Sequence, residues 1–220
     1  MNLLLANDDG IQARGLKELA AALSEQGTVY IAAPDGQRSA SGHSITVSRP
    51  VRLTEVPYEG AAGALAISGT PADCVKLGIR YFAAKNIPID VVFSGINHGG
   101  NLGTDTLYSG TVSAAIEGAL CGKPSVAVSV NSHQPVYFGG ACRLAVQMLQ
   151  VLKERDLGVT TLNLNVPDLP EEQIKGVRYT RLGMREYDEW FSQEETASGE
   201  TQYRYGGSTK IGRASCRERV

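Results

Sequence analysis

No stretch of this sequence stays apolar for the roughly 20 residues that a membrane-crossing helix requires. Residues 1–15 also lack the basic start and long apolar core of a secretory signal. Neither sign of charge is in excess: 21 Lys and Arg stand against 23 Asp and Glu, for a net charge of −2. A balance that close argues against a nucleic-acid polymer or an anionic membrane as partner. It leaves a small anionic ligand open, because one site can be locally positive in a neutral protein. Cysteine is scarce. Cys74, Cys121, Cys142 and Cys216 form no C-x-x-C pair and no metal-ligand spacing, so with no export signal they read as reduced thiols, and the expected location is the cytoplasm. The three histidines, His43, His98 and His133, are scattered, without ligand spacing or a G-x-S-x-G elbow. His98 adjoins Asn97 and is placed to approach a substrate, but each of the three reads better as an exposed loop histidine with no role. The absence of G-x-x-x-x-G-K-[ST] and of G-x-G-x-x-G argues against a P-loop ATPase and a dinucleotide binder.

What is present is ordinary globular material, 220 residues with 42% hydrophobic and 20% charged side chains, enough for one sizeable domain with a smaller appendage. Leu3–Ala6 reads as a buried strand. Leu16, Leu19, Ala20 and Leu23 place a helix over 15–26, and Thr28–Ala33 is a second strand, which completes a βαβ unit. Residues 46–56 alternate as an antiparallel ribbon, limited to an edge by Pro50. A strand at 64–68 precedes a helix announced by Thr70-Pro71-Ala72-Asp73, with Thr as N-cap, Pro in the first turn and Asp at the positive end of the dipole. Strands at 89–93, 125–130 and 161–166 alternate with helices at 111–120 and 142–153, and residues 94–110 read as a long loop. The expected class is α/β: a doubly wound, mostly parallel, Rossmann-like sheet between two helical layers, occupying residues 1–176. Residues 177–207 lose helical periodicity and interleave Tyr179, Tyr187, Trp190, Phe191, Tyr203 and Tyr205 with charges. They read as a protruding β-hairpin for oligomerisation, since a lone hairpin is marginally stable. Residues 210–220 cluster three arginines without an apolar period and read as a tail foreign to the fold.

In open α/β sheets ligands bind beyond the carboxyl ends of the strands. Asn7-Asp8-Asp9-Gly10, Asp35–Ser44, Ser94–Gly110 and Asn131-Ser132-His133 fall there. The adjacent carboxylates Asp8 and Asp9 repel one another, and a hard divalent cation such as Mg²⁺ would relieve that. The competing reading is that one of them caps the helix that follows. The loop SGINHGGNLGTDTLYSGT holds five glycines and two asparagines and ends in Ser-Gly-Thr at a helix start, a place suited to an anion. A plain Gly-rich connection with Ser109 as N-cap competes with it.

The segments NDDGI (7–11), APDGQRSASG (33–42), SGTPADCV (68–75), SGINHGGNLG (94–103), YSGTVSAAIEG (108–118) and LNLNVP (162–167) resemble the survival protein E (SurE) family in order, from residue 1 to about 205. The resemblance implies a metal-dependent phosphatase acting on nucleoside monophosphates. It implies one divalent cation per subunit, Mg²⁺ or Mn²⁺, held by Asp8, Asp9, Ser39 and Asn97, with Asn101, Ser109, Gly110 and Thr111 cradling the phosphate. It also implies a homodimer or homotetramer joined through the hairpin and exchanged C-terminal elements. The chain departs from the family where STKIGRASCRERV replaces the usual final segment, so the assembly is the part of the expectation most affected.

The expected reaction is that of a 5′-nucleotidase, with 3′-monophosphates and short polyphosphate as the open extension of its range. Asp8 or Asp9 would orient or deprotonate the attacking water. Two rivals use the same residues. A phosphatase with an aspartyl-phosphate intermediate is disfavoured, because its two Asp residues stand one position apart rather than adjacent. A nucleotide and metal sensor without turnover is distinguished only by assay.

Overall fold

The computed structural model describes residues 1–155, 157–184 and 186–210. The chain divides into two compact units. One comprises residues 1–101 and 106–176; the other comprises Leu102–Asp105 with the described residues from Val177 onward.

In the first unit, strands β1 (Asn2–Ala6), β2 (Thr28–Pro34), β3 (Leu53–Glu55), β4 (Gly63–Ile67), β5 (Val91–His98), β6 (Ser125–Val130) and β7 (Thr161–Val166) form one sheet in the order β3-β4-β2-β1-β5-β6-β7. All neighbours are parallel except β3, which runs antiparallel to β4. Helices α1 (Arg14–Ser24), α2 (Pro71–Ala84), α3 (Gly110–Leu120) and α4 (Gly139–Glu154) cover it.

The unbroken apolar strands are what two covered faces demand. Along β1, Leu3 and Leu5 point into a core shared with Leu16, Leu19 and Leu23 of α1 and Leu144 and Leu149 of α4. Leu4 and Ala6 point the other way, towards Cys74, Val75 and Phe82 of α2 and Ala114 of α3. The side-chain period of two thus sorts one strand between two helical layers. Each of the three leucines is fully buried, worth roughly 2 kcal/mol apiece relative to exposure.

Helix α2 starts as its sequence predicts, with a capping box in which the Asp73 N–H donates to Thr70 Oγ1 at 3.1 Å and the Thr70 N–H donates to Asp73 Oδ2 at 2.9 Å. Helix α1 has no side-chain cap: Ala13 occupies the N-cap and no acidic residue lies in the first turn. Gly15 lets α1 sit directly on the end of β5, since a Cβ there would fall 2.0 Å from the Ile96 carbonyl oxygen.

Two expectations need correction. The ribbon expected over 46–56 is reduced to Leu53–Glu55. Pro50 has no N–H, and side chains take other donors: the Thr46 N–H donates to Asp73 and the Arg52 N–H to Ser68 Oγ at 2.9 Å. The loop expected from residue 94 begins later, because β5 continues to His98. Its pairing with β6 shifts between Ser94 and Asn97, a bulge that places one extra residue on β5 and re-aims the side chains beyond it.

In the second unit, β8 (Glu186–Glu195) and β9 (Thr201–Lys210) form an antiparallel hairpin. It starts later than the expected 177–207, because Val177–Met184 forms no strand. The ladder also reaches Lys210, the first residue assigned by sequence to the foreign tail; residues 211–220 lie outside the described residues. Phe191 packs edge-on against Tyr205 with ring centroids 5.4 Å apart, and Arg204 makes a two-pronged contact to Glu194 at 2.7 and 3.1 Å. Trp190 lies over Gly206. Trp190, Phe191, Tyr203 and Tyr205 are all exposed, and the Tyr187 side chain lies outside what is described.

Candidate active site

Strand β1 lies between β2 and β5, and the chain leaves it for α1 and β2 on one side, while α3 and β6 follow β5 on the other. The crevice beyond the carboxyl ends of β1 and β5 is therefore a topological switch point, where doubly wound sheets bind ligands. Asp8 and Asp9 leave β1 there, and Asn97 and His98 end β5.

Asp8 is buried. Its Oδ1 accepts a hydrogen bond from Thr111 Oγ1 at 2.5 Å, and its carbonyl accepts from the Arg38 N–H at 2.7 Å. A Cβ on Gly110 would lie 2.7 Å from Asp8 Cβ and 2.9 Å from Ser41 Oγ, so only glycine lets the start of α3 come this close. Three segments far apart in sequence thus meet at one carboxylate: the end of β1, the loop 35–44 and the start of α3. Asp9 Oδ2 accepts a long contact, 3.4 Å, from the His98 N–H, which adds the end of β5. Burial raises the Asp8 carboxyl above the ordinary carboxylate range; the Thr111 hydrogen bond opposes this and the neighbouring Asp9 adds to it. Among the described residues no cationic side chain pairs with Asp8 or Asp9; Arg38 turns instead to Asp35 at 2.9 Å. With Ala13 as the uncapped start of α1, the capping alternative for these aspartates falls away.

Ser39 follows Arg38, and its Oγ accepts from Gln37 Nε2 at 2.9 Å. Asn97 donates its amide N–H to the Gly99 carbonyl at 2.8 Å, an orientation that leaves Oδ1 as an open acceptor. Two carboxylates, a hydroxyl and an amide oxygen are hard donors and fit Mg²⁺ or Mn²⁺, which need only one or two protein carboxylates and keep several waters. Among the described residues no group of three His, Cys, Asp or Glu side chains surrounds one point.

The anion side is built from the first turn of α3. Ser109 is the N-cap, its Oγ accepting from the Val112 N–H at 3.1 Å. Thr111, assigned by resemblance to the phosphate, directs its hydroxyl to Asp8, and its backbone N–H, beside that of Gly110 at the helix start, also bears on the Asp8 carboxyl. Asn101 is buried, and its contacts run to the β6–β7 side of the crevice. Its amide donates to Ser129 Oγ at 2.9 Å, its N–H to Asn165 Oδ1 at 2.7 Å, and its carbonyl accepts from Asn163 Nδ2 at 2.9 Å. The asparagines of LNLNVP therefore fix the Asn101 loop, a role that sequence reading did not assign.

Sequence reading also missed Asn7 and Ser41. Asn7 Nδ2 donates to the Gly10 carbonyl at 2.8 Å, and the buried Asn7 Oδ1 and Ser41 Oγ carry no partner among the described residues. Two of the histidines, His43 and His98, need correction. His43 bonds Glu117 at 2.9 Å, and His98 packs against the ring of Phe138 at 5.8 Å with Nε2 buried and unpartnered. His133 is exposed, but its ring lies 3.3 Å from the space a Cβ on Gly99 would take. A signal for Glu117 was available, since it is the one charged residue in a helix otherwise of small and apolar residues, GTVSAAIEGAL.

Fold and site together define a doubly wound α/β protein whose switch point gathers a carboxylate pair and the start of a helix. The sequence profile of the family described as "Survival protein SurE" matches residues 3–189. The chain belongs to the SurE family. It is 46% identical over 209 residues to a protein of Syntrophomonas wolfei named 5′-nucleotidase SurE, covering 94% of this chain and 78% of that one. A protein of Petrotoga mobilis with the same name is 45% identical over 208 residues, covering 92% and 81%. The crystal structure of a SurE protein from Aquifex aeolicus superposes with a TM-score of 0.79 at 36% identity, covering 94% of this chain and 82% of that one.

Proposed function

We propose that this chain is a metal-dependent 5′-nucleotidase that hydrolyses nucleoside 5′-monophosphates to nucleoside and phosphate. The observation that carries the reading is the buried Asp8 carboxylate. It adjoins Asp9, has no cationic side chain beside it among the described residues and is bonded to Thr111 at the start of α3. Asp8, Asp9, Ser39 and Asn97 would hold the cation, which supplies Lewis-acid polarisation of a phosphoryl oxygen and a lowered pKa for a bound water. The N–H groups of Gly110 and Thr111, with the Ser109 hydroxyl, would bind phosphoryl oxygens and stabilise charge as it develops. Asn101, held by Asn163 and Asn165, would complete the phosphate cradle. Asp9 is less buried than Asp8, which leaves it the freer carboxylate to orient the attacking water and accept its proton.

The exposed aromatic face of the β8–β9 hairpin suits a homodimer or homotetramer. The free thiols Cys74, Cys121 and Cys142 suit the cytoplasm, and no described helix is long and apolar enough to cross a membrane.

Phosphate release from a panel of nucleoside 5′- and 3′-monophosphates and short polyphosphate tests the reading. Release should require Mg²⁺ or Mn²⁺, stop on chelation and return on metal addition. Nucleotide binding without release would instead identify a sensor, and a phosphorylated Asp trapped during turnover would revive the aspartyl-phosphate route.

A further inference from the structure

Glu117 lies about two turns into α3, beyond the residues that face Asp8, and is 2% exposed. Both its carboxylate oxygens are engaged: His43 Nε2 lies 2.9 Å from Oε2, and Lys76 Nζ donates to Oε1 at 2.8 Å. Burial pushes the Glu117 carboxyl up, but the hydrogen bonds from Lys76 and His43 outweigh it and hold the group below the ordinary range. A buried carboxylate of this kind is a strong anchor, because hydrogen bonds to ionised groups are roughly twice as strong as neutral ones.

His43 belongs to the loop 35–44 that carries Ser39. This loop has no regular secondary structure, and Ala40 and Gly42 both adopt left-handed backbone, each with φ of 53°. Alanine disfavours that conformation, which persists only where the surroundings impose it. The loop is pinned at successive points. The Arg38 N–H donates to the Asp8 carbonyl at 2.7 Å and the Gly42 N–H to the Tyr108 carbonyl at 3.1 Å. The Ser44 carbonyl accepts from Thr70 Oγ1 at 2.6 Å, and His43 reaches Glu117 between these last two.

We propose that Glu117 is a positioning residue which, through His43, holds the loop 35–44 against the end of β1, from where Ser39 would join Asp8 and Asp9 at the cation. The same helix that presents its start to the phosphate thereby also fixes the loop that completes the cation site. This inference rests on the metal reading above. The competing view is that Glu117 merely ties α3 to α2 through Lys76, which would affect stability alone.

Titration of the full chain with Mn²⁺, with free ion followed by electron paramagnetic resonance, separates them. His43→Ala should raise the Mn²⁺ Kd by about tenfold, the low end of what supporting residues contribute to metal sites. His43→Gln, whose amide N–H can still donate to Glu117, should restore most of it. Lys76→Gln should bind Mn²⁺ as the wild type does while lowering Tm. With Mn²⁺ in excess, kcat of His43→Ala should recover. If the alanine variant does not fold, Glu117→Gln, whose single acceptor oxygen cannot serve both Lys76 and His43, should show weakened binding as well. Wild-type affinity in His43→Ala beside lost binding in Asp9→Asn overturns the inference and leaves the metal reading intact. Equal weakening in His43→Ala and Lys76→Gln also overturns it, since the cluster would then act by stability alone. Absence of Mn²⁺ binding in the wild type, or unchanged binding in Asp9→Asn, overturns both.

Discussion

At Asp8 the cost of burying a carboxylate is offset by hydrogen bonds, the largest from the hydroxyl of Thr111, 103 positions away in sequence. A hydrogen bond to a buried charge is worth about 1.5–3 kcal/mol. Thr111→Val keeps the shape and removes the donor, so Tm should fall by several degrees and phosphate release should drop with it. Differential scanning calorimetry alongside the assay checks both, and an unchanged Tm would mean that the hydroxyl does not support Asp8. Gly110 makes the complementary case, sterics rather than bonding. A Cβ there would meet Asp8 Cβ at 2.7 Å, and overpacking of that kind costs about 1–3 kcal/mol. Gly110→Ala should fold with reduced stability and lose at least about 100-fold in kcat/KM, because a displacement near 1 Å at a reacting site costs that much. Steady-state kinetics on a 5′-monophosphate measures it.

Helix α2 shows how one element can be specified by its first four residues. The Thr70 and Asp73 capping box closes its start, and Asp73 also accepts the Thr46 N–H, which ties down the irregular segment where a ribbon was expected. Burial pushes the Asp73 carboxyl up, and hydrogen bonds from Thr46 and Thr70 outweigh it, so the folded-state pKa is lowered. A depressed carboxylate pKa means that the unfolded chain takes up the proton first as pH falls. The stabilisation is therefore complete above the ordinary aspartate range and is lost as pH falls through the lowered folded-state value. Asp73→Asn should cost about 1 kcal/mol at pH 7, within the range for a lost cap. The gap between wild type and variant should narrow as pH falls below the ordinary aspartate value towards about 3. Urea unfolding at both pH values tests this; a gap that widens in acid would reverse the sign argued here.

For the molecule as a whole, the unanswered surface is the hairpin. Trp190 and Phe191 are 51% and 65% exposed, and paired strands of this kind are marginal alone. If a second copy covers them, the arrangement is two-fold and self-complementary. The protein should sediment as a dimer or tetramer, and Trp190→Ala should shift it towards monomer while Mn²⁺ binding persists. A wild-type monomer in sedimentation velocity would refute the assignment.

The sequence by itself determined what depends on near neighbours. Apolar runs and helical spacing marked the strands and helices of the sheet domain, Thr70-Pro71-Ala72-Asp73 marked the start of α2, and Asp8-Asp9 stood out because adjacent carboxylates need a counter-charge. The class of fold followed, since alternating strands and helices with two apolar faces have few ways to pack. Tertiary structure alone decided the partners across the chain. Thr111 turned its hydroxyl to Asp8, His43 reached Glu117 74 positions away, Asn163 and Asn165 took up Asn101, and β5 ran on through a bulge into the region expected as loop. These contacts carry no local signal, because a hydroxyl, a histidine or an asparagine reads alike in sequence wherever it points. Its orientation is set by which strand ends the sheet order brings together and by which buried polar groups must then find partners.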